Sequence, residues 1–311
     1  MSEYFLELKG VTKRYDQHTA VDNVTMKIPR GKIYGLLGPN GAGKTSTIRM
    51  ITTITRPDSG VILFDGEELR ESHTARTGYM PEERGLYKKT KVKEQIDYLL
   101  MLKGMSTKEA RIARDTWLDR LGLSDWTNKK TTDLSKGMQQ KVQFITTVAH
   151  EPDLLILDEP FSGLDPVNAQ LIEDIIVELN GNGTTILFST HRMEQVEELC
   201  DHIALFNRGN LVLENDITAV RKQFQRSEYR VDFQGDPTFV NQLNIPGLEV
   251  KSSGDRSMML RIPDGSDPKA FMHAIIDAPV EVLKLELHLP RLQEIFIELV
   301  GKDATVAAQV N

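Results

Sequence analysis

Apolar and polar positions alternate over residues 5–11, the period of a half-buried strand. Residues 21–28 predict a second strand, and Pro29-Arg30-Gly31-Lys32 a turn after it. Residues 33–37 are nearly all apolar and strand-like, and 46–51 open a helix. Arg56-Pro57-Asp58-Ser59-Gly60 breaks the pattern before a short strand at 61–64, closed by Asp65-Gly66. From Lys88 to Thr132 the apolar residues Val92, Ile96, Leu99, Leu100, Ile112, Leu118 and Leu121 fall at helical spacing. Residues 134–150 continue as one long helix, so a helical insert covers about 88–150. Strand and helix then alternate again: strand 153–157, helix 168–179, strand 184–188, helix 193–200. Strands at 203–206 and 211–213 meet around Asn207-Arg208-Gly209-Asn210. The alternation predicts an α/β fold, a mostly parallel sheet with helices on both faces.

The texture changes near residues 223–227. Beyond it, strands are expected at 229–233, 248–251, 258–262 and 282–287, and helices at 270–276 and 291–300. The expected organisation is therefore one domain over 1–222, a small α+β domain over 226–300 and a tail over 301–311 that frays from 304. No repeat of 20–50 residues is visible.

Composition narrows the function classes. Hydrophobic residues make up 40% and charged residues 27% of the 311, ordinary for a globular protein. The net charge of −7 supplies no basic field, so no nucleic-acid partner is expected. Cys200 is the single cysteine, which excludes an intrachain disulfide. Met1-Ser2-Glu3-Tyr4 does not open a signal peptide, and no apolar run reaches the ~20 residues of a membrane span. A membrane role would come through a partner.

Chemistry concentrates in Gly38-Pro39-Asn40-Gly41-Ala42-Gly43-Lys44-Thr45, which fits the phosphate-cradling pattern G-x-x-x-x-G-K-[ST] between a strand and a helix. Glycines let backbone N–H groups approach an anion, and the helix N-terminus adds partial positive charge. Lys44 would reach the β- and γ-phosphates of a nucleotide, and the Thr45 hydroxyl would meet Mg²⁺. Leu154-Leu155-Ile156-Leu157-Asp158-Glu159 ends a buried strand in two carboxylates. Asp158 would hold Mg²⁺ through water. Glu159, next along the strand, would face the other side and deprotonate an attacking water. Either pair of motifs alone is open to a blander reading, a glycine turn or two solvated acids.

The order of Tyr15, GPNGAGKT, Leu134-Ser135-Lys136-Gly137-Met138, LLILDEP, Ser162-Gly163-Leu164-Asp165 and Ser189-Thr190-His191 resembles the nucleotide-binding subunit of an ABC transporter over residues 1–220. The resemblance implies a P-loop NTPase cassette with a helical insert, an ATPase using ATP and Mg²⁺. In that family Ser135, Lys136, Gly137 and Met138 occupy the place of the LSGGQ signature, with Lys136 and Met138 departing from it. Their implied ligand is the γ-phosphate of ATP on a second copy, although Ser135 by itself is also a favoured helix cap. His191 resembles the switch histidine that contacts the γ-phosphate, Asp165 the residue bridging the two copies, and Tyr15 the aromatic that stacks on adenine. Phosphate contacts extend to Ser46. Glu82, in Gly78-Tyr79-Met80-Pro81-Glu82, stands where the family has a metal-ligating glutamine, with Glu83 beside it and a solvated loop acid as the alternative. GYMPEERGLY and Leu292-Gln293-Glu294-Ile295-Phe296 resemble the branch serving ABC-2 type exporters. The implied assembly is a homodimer on a separate membrane permease, at the inner face of the cell membrane. A soluble ABC-type ATPase acting on ribosomes or DNA is the rival reading. A P-loop kinase would have no use for Ser135, Gly137 and His191.

Overall fold

The structure, a computed structural model, describes residues 3–83 and 85–308. The chain divides into two compact units, Met1–Ile217 and Thr218–Asn311.

The first unit holds two sheets. One is antiparallel, in the order β2-β1-β4-β5, from β1 (Tyr4–Tyr15), β2 (His18–Pro29), β4 (Ser59–Phe64) and β5 (Glu67–Glu68). The other places β3 (Ile33–Leu37) among β6 (Thr77–Met80), β7 (Leu154–Asp158), β8 (Thr185–Ser189), β9 (His202–Asn207) and β10 (Asn210–Asp216), in the order β10-β9-β3-β8-β7-β6. Within it only the β9–β10 pair is antiparallel. All five residues of β3, β7 and β8 are buried, as a parallel strand covered on both faces requires. One apolar cluster joins the sheets, with Phe5, Leu8, Met26 and Phe64 from the first meeting Leu36, Ile156 and Leu187 from the second.

Helix α1 (Lys44–Ile51) follows β3 across the phosphate loop. The insert contributes α2 (Val92–Leu102) and α3 (Thr107–Arg120). Ser106 caps α3 through its side chain, and Glu109 answers from the third position, so two helix-end donors are satisfied at once. The long helix expected over 134–150 is α4 (Lys136–Val148); Ser135 accepts the N–H of Met138 and starts it, leaving Leu134 outside. Helices α5 (Pro166–Gly181) and α6 (Met193–Leu199) complete the alternation. Tyr15 is the last residue of β1, because strand pairing with β2 runs to the end of the hairpin.

Helix α7 (Ile217–Gln223) spans the division between the units. The second unit is a four-stranded antiparallel sheet, β12-β13-β11-β14, from β11 (Glu228–Gln234), β12 (Glu249–Ser253), β13 (Ser257–Arg261) and β14 (Glu281–Leu287). Helix α8 (Pro268–Ile276) packs Phe271 and Ile275 with Tyr229, Val231 and Phe233 of β11. Helix α9 (Leu292–Ala308) runs on into the stretch expected as a tail, and 309–311 lie outside the described residues. Among the described residues no helix is long and apolar enough to cross a membrane.

Candidate functional site

A cavity of about 430 Å³ opens at the carboxyl ends of β3 and β7, where ligands bind in open α/β sheets. Its lining includes Asn40 through Ser46, with Tyr15, Glu82, Asp158, Glu159 and His191. Thus residues from five separated stretches of sequence meet around the phosphate loop. Two lining residues, His18 and Ala20, escaped sequence reasoning; they enter because the β1–β2 hairpin doubles back beside Tyr15. Tyr15 is partly exposed, with the Lys13 ammonium 5.4 Å from its ring centre.

The loop's backbone explains its glycines. Gly38 has φ 145°, and a Cβ there would strike the Phe206 carbonyl oxygen. Gly43 has φ 111°, and a Cβ there would strike the carbonyl of Ala20. Only a residue without a side chain fits either place. Gly38 and Pro39 do not line the cavity; their carbonyls accept Lys44 Nζ at 2.5 and 3.2 Å.

Charge around Lys44 is unbalanced. Burial pushes its pKa down from the usual lysine range, while the carboxylates of Asp158, Glu159 and Glu82 pull it up. Asp158 is itself buried, and that burial raises its pKa, with Glu82 and Glu159 adding to the rise and Ser189 and Lys44 opposing it. Three carboxylates thus face one ammonium, an excess of negative charge that a divalent cation would offset. Among the described residues no group of three His, Cys, Asp or Glu is placed to hold a metal unaided. That donor set suits Mg²⁺, which keeps several waters and takes oxygen from phosphates as well as from one or two carboxylates.

Glu159 is not the alternating strand residue that the sequence suggested. β7 ends at Asp158, and Glu159 turns off with φ 52°, its N–H donating to Ser189 O at 2.9 Å. Left-handed backbone in a non-glycine residue stores strain and marks functional positions. Its Oε1 accepts the His191 N–H at 2.8 Å and lies 2.6 Å from His191 Nδ1; its Oε2 accepts the Thr190 hydroxyl at 3.1 Å.

The remaining candidates lie apart from this cavity. Ser135 is the α4 cap described above, exposed, with Lys136, Gly137 and Met138 in the first turn. Asp165 caps α5, accepting Asn168 N–H at 3.0 Å. None of the five lines the phosphate cavity of its own chain.

Against known proteins, the family model "ABC transporter" matches residues 21–162, and "ATP-binding protein DrrA1-3-like, C-terminal domain" matches 216–300. The ABC transporter ATP-binding protein YhaQ of Bacillus subtilis (strain 168) is 42% identical over 296 residues, covering 95% of this chain and 98% of that protein. The chain belongs to the ABC transporter ATP-binding proteins. The ABC subunit is an ATPase. The daunorubicin resistance ATP-binding protein DrrA3 of Streptomyces coeruleorubidus is 29% identical over 314 residues, covering 98% of the ABC subunit and 99% of DrrA3. A dimeric ATP-binding cassette, solved in a post-hydrolysis state bound to ADP and Pi, superposes with a TM-score of 0.63 at 25% identity, covering 68% of the ABC subunit and 98% of that chain.

Proposed function

We propose that the ABC subunit binds Mg-ATP in the phosphate-loop cavity and that two copies close over two nucleotides. A separate membrane permease, at whose inner face the pair sits, turns that closure into substrate export. The observation that carries this reading is the division of parts. Lys44, Thr45, Glu82, Asp158, Glu159 and His191 share one cavity, while Ser135 and Gly137 stand at an exposed helix N-terminus outside it. A phosphate on a second copy gives the outlying set a ligand: the Ser135 hydroxyl, the first-turn N–H groups and the helix dipole all favour an anion.

In hydrolysis, a water held by Glu159 attacks the γ-phosphorus in line with the bond to the β–γ bridging oxygen, which breaks and leaves with ADP. Glu159 takes the water's proton. Lys44 exchanges the carbonyls of Gly38 and Pro39 for the phosphates, a charge-assisted contact. His191, 61% exposed, is free to leave Glu159 for the γ-phosphate. Mg²⁺ held by Thr45, Asp158 and Glu82 would neutralise charge on the β- and γ-oxygens. Tyr15 would stack on adenine, and Asp165 would face its partner copy.

The permease has a landing place in the first unit. A cavity of about 380 Å³ between β6 and α2 is lined by Ile54, Tyr79, Leu99, Leu102 and Lys103. Ile54, Tyr87, Tyr98, Met101 and Leu102 are exposed nearby on the insert and core, an apolar surface of the kind that marks protein contacts. Export, rather than uptake, is the direction we infer from the likeness to a daunorubicin resistance protein, since moving a drug outward is one way to resist it.

Glu159→Gln tests the chemistry and the dimer together. It should keep ATP binding, lose about 10²–10⁴-fold in turnover, and double its mass in light scattering when Mg-ATP is added. Turnover at the parent rate would remove Glu159 from the role of base, and a monomer throughout would remove the shared sites.

A further inference from the structure

The residue before the switch histidine does more than connect it. Thr190 is fully buried, and its Oγ1 stands between two groups. It accepts the N–H of Arg192 at 3.1 Å and lies 3.1 Å from Glu159 Oε2. A hydroxyl has one proton to give. With the Arg192 N–H donating to its lone pair, that proton is directed at Glu159. We propose that Thr190 is a positioning residue for ATP hydrolysis, holding Glu159 by Oε2 so that Oε1 is the oxygen turned to the attacking water. The inference rests on Glu159 being the base.

The two oxygens of Glu159 are held by groups of different freedom. Oε1 is held by His191 twice, by its main-chain N–H at 2.8 Å and by its ring, and the side chain is 61% exposed with room to swing away. Oε2 is held by Thr190, which is walled in on every side. When His191 goes to the γ-phosphate, Oε1 loses its ring contact and Oε2 keeps its hydroxyl. The carboxylate then stays between the Thr190 hydroxyl on Oε2 and the His191 main-chain N–H on Oε1, and is not released into a free rotamer search. Its backbone is pinned from the same strand end, since Glu159 N–H donates to Ser189 O. Three consecutive residues, Ser189, Thr190 and His191, therefore hold the main chain, the fixed oxygen and the working oxygen of one glutamate. Loss of the fixed point would misplace the base by a fraction of an ångström to an ångström, an error of the kind that costs up to about 10²-fold in rate.

The test is ATPase kinetics on the full chain for Thr190→Val, Thr190→Ser and Glu159→Gln, with binding of a fluorescent ATP analogue and thermal melting alongside. Valine keeps the shape and removes the hydroxyl; serine keeps the hydroxyl. Thr190→Val should lower kcat about 10- to 100-fold while KM and analogue affinity stay within about threefold. Thr190→Ser should return kcat to within about threefold of the parent. A Thr190→Val kcat equal to the parent overturns the proposal. So does a Thr190→Ser as slow as Thr190→Val, since packing and not the hydroxyl would then be what matters. If Thr190→Val does not fold, Thr190→Cys replaces it, of similar size with a weak donor; its kcat must fall, and a parent kcat overturns the proposal equally. An active Glu159→Gln would instead break the assignment of the base, which separates the two failures.

Discussion

Gly137 has space that it does not use. A Cβ there would meet nothing closer than 3.6 Å, at Gly163 O and Leu164 Cδ2, and its φ is not positive. Nothing inside the chain demands glycine, and alanine in a helix is more favourable by up to ~1 kcal/mol. Gly137→Ala should therefore leave the urea midpoint of the single chain unchanged or raised, while lowering ATPase turnover at least severalfold if, as proposed, a second copy's nucleotide closes against this turn. A second residue-scale expectation concerns pH. His150 is largely buried, and burial, helped by the Lys103 ammonium, lowers its pKa to about 4. Among the described residues neither ring nitrogen has a hydrogen-bond partner of good geometry, and the Thr77 backbone nearby only partly offsets the lowering. The unfolded chain binds this proton near pH 6.5 and the folded chain only near 4. Its contribution is present above pH 6.5 and fades as pH falls toward 4, by up to ~3 kcal/mol. Urea unfolding at pH 7 and pH 5 should show the drop, and His150→Phe should flatten it. The phosphate loop was legible in the sequence because its parts are contiguous. His18, Ala20 and the contact of Thr190 with Glu159 were not, because a hairpin and a strand end bring them in, and neither leaves a mark of spacing.

At the scale of elements, α4 ties both halves of the site together. Gln140 and Gln143, one turn apart and buried, donate their side-chain amides to Pro160 O and Pro81 O, each at 2.9 Å. Pro160 follows Glu159, and Pro81 precedes Glu82. The helix that starts at the exposed Ser135 thus reaches the neighbours of two cavity carboxylates. Gln140→Leu should cost about 1–3 kcal/mol by leaving a buried carbonyl unpaired, read as a lower urea midpoint. Periodicity found α4 as an element but gave no hint of this function, since a glutamine on a buried face looks like a mistake in the pattern until its acceptor is known. Element ends were blurred for a related reason. Apolar spacing continues past a cap, so Leu134 read as helix although Ser135 begins it.

For the whole molecule, the texture of the sequence changes near 223–227, and the two compact units divide at Ile217, inside α7. Nor could strand patterns tell that β1, β2 and β4 form a sheet of their own, because alternation shows which face is buried and never against which neighbour. The order of the larger sheet has one more consequence. β3 leads into the phosphate loop, yet its neighbours are β8 and β9: Ile33 pairs with Ile186, and Leu37 with Leu205. Strands more than 150 positions apart must meet before the loop has a wall behind it, a slow, non-local closure. On the ribosome, at 5–20 residues per second, that leaves an interval of roughly 8–30 s in which the nucleotide motif exists as sequence and not as a site. A chain stalled after α1 and short of β9 carries the whole phosphate motif without the strands that back it, and should bind ATP far more weakly than the full chain.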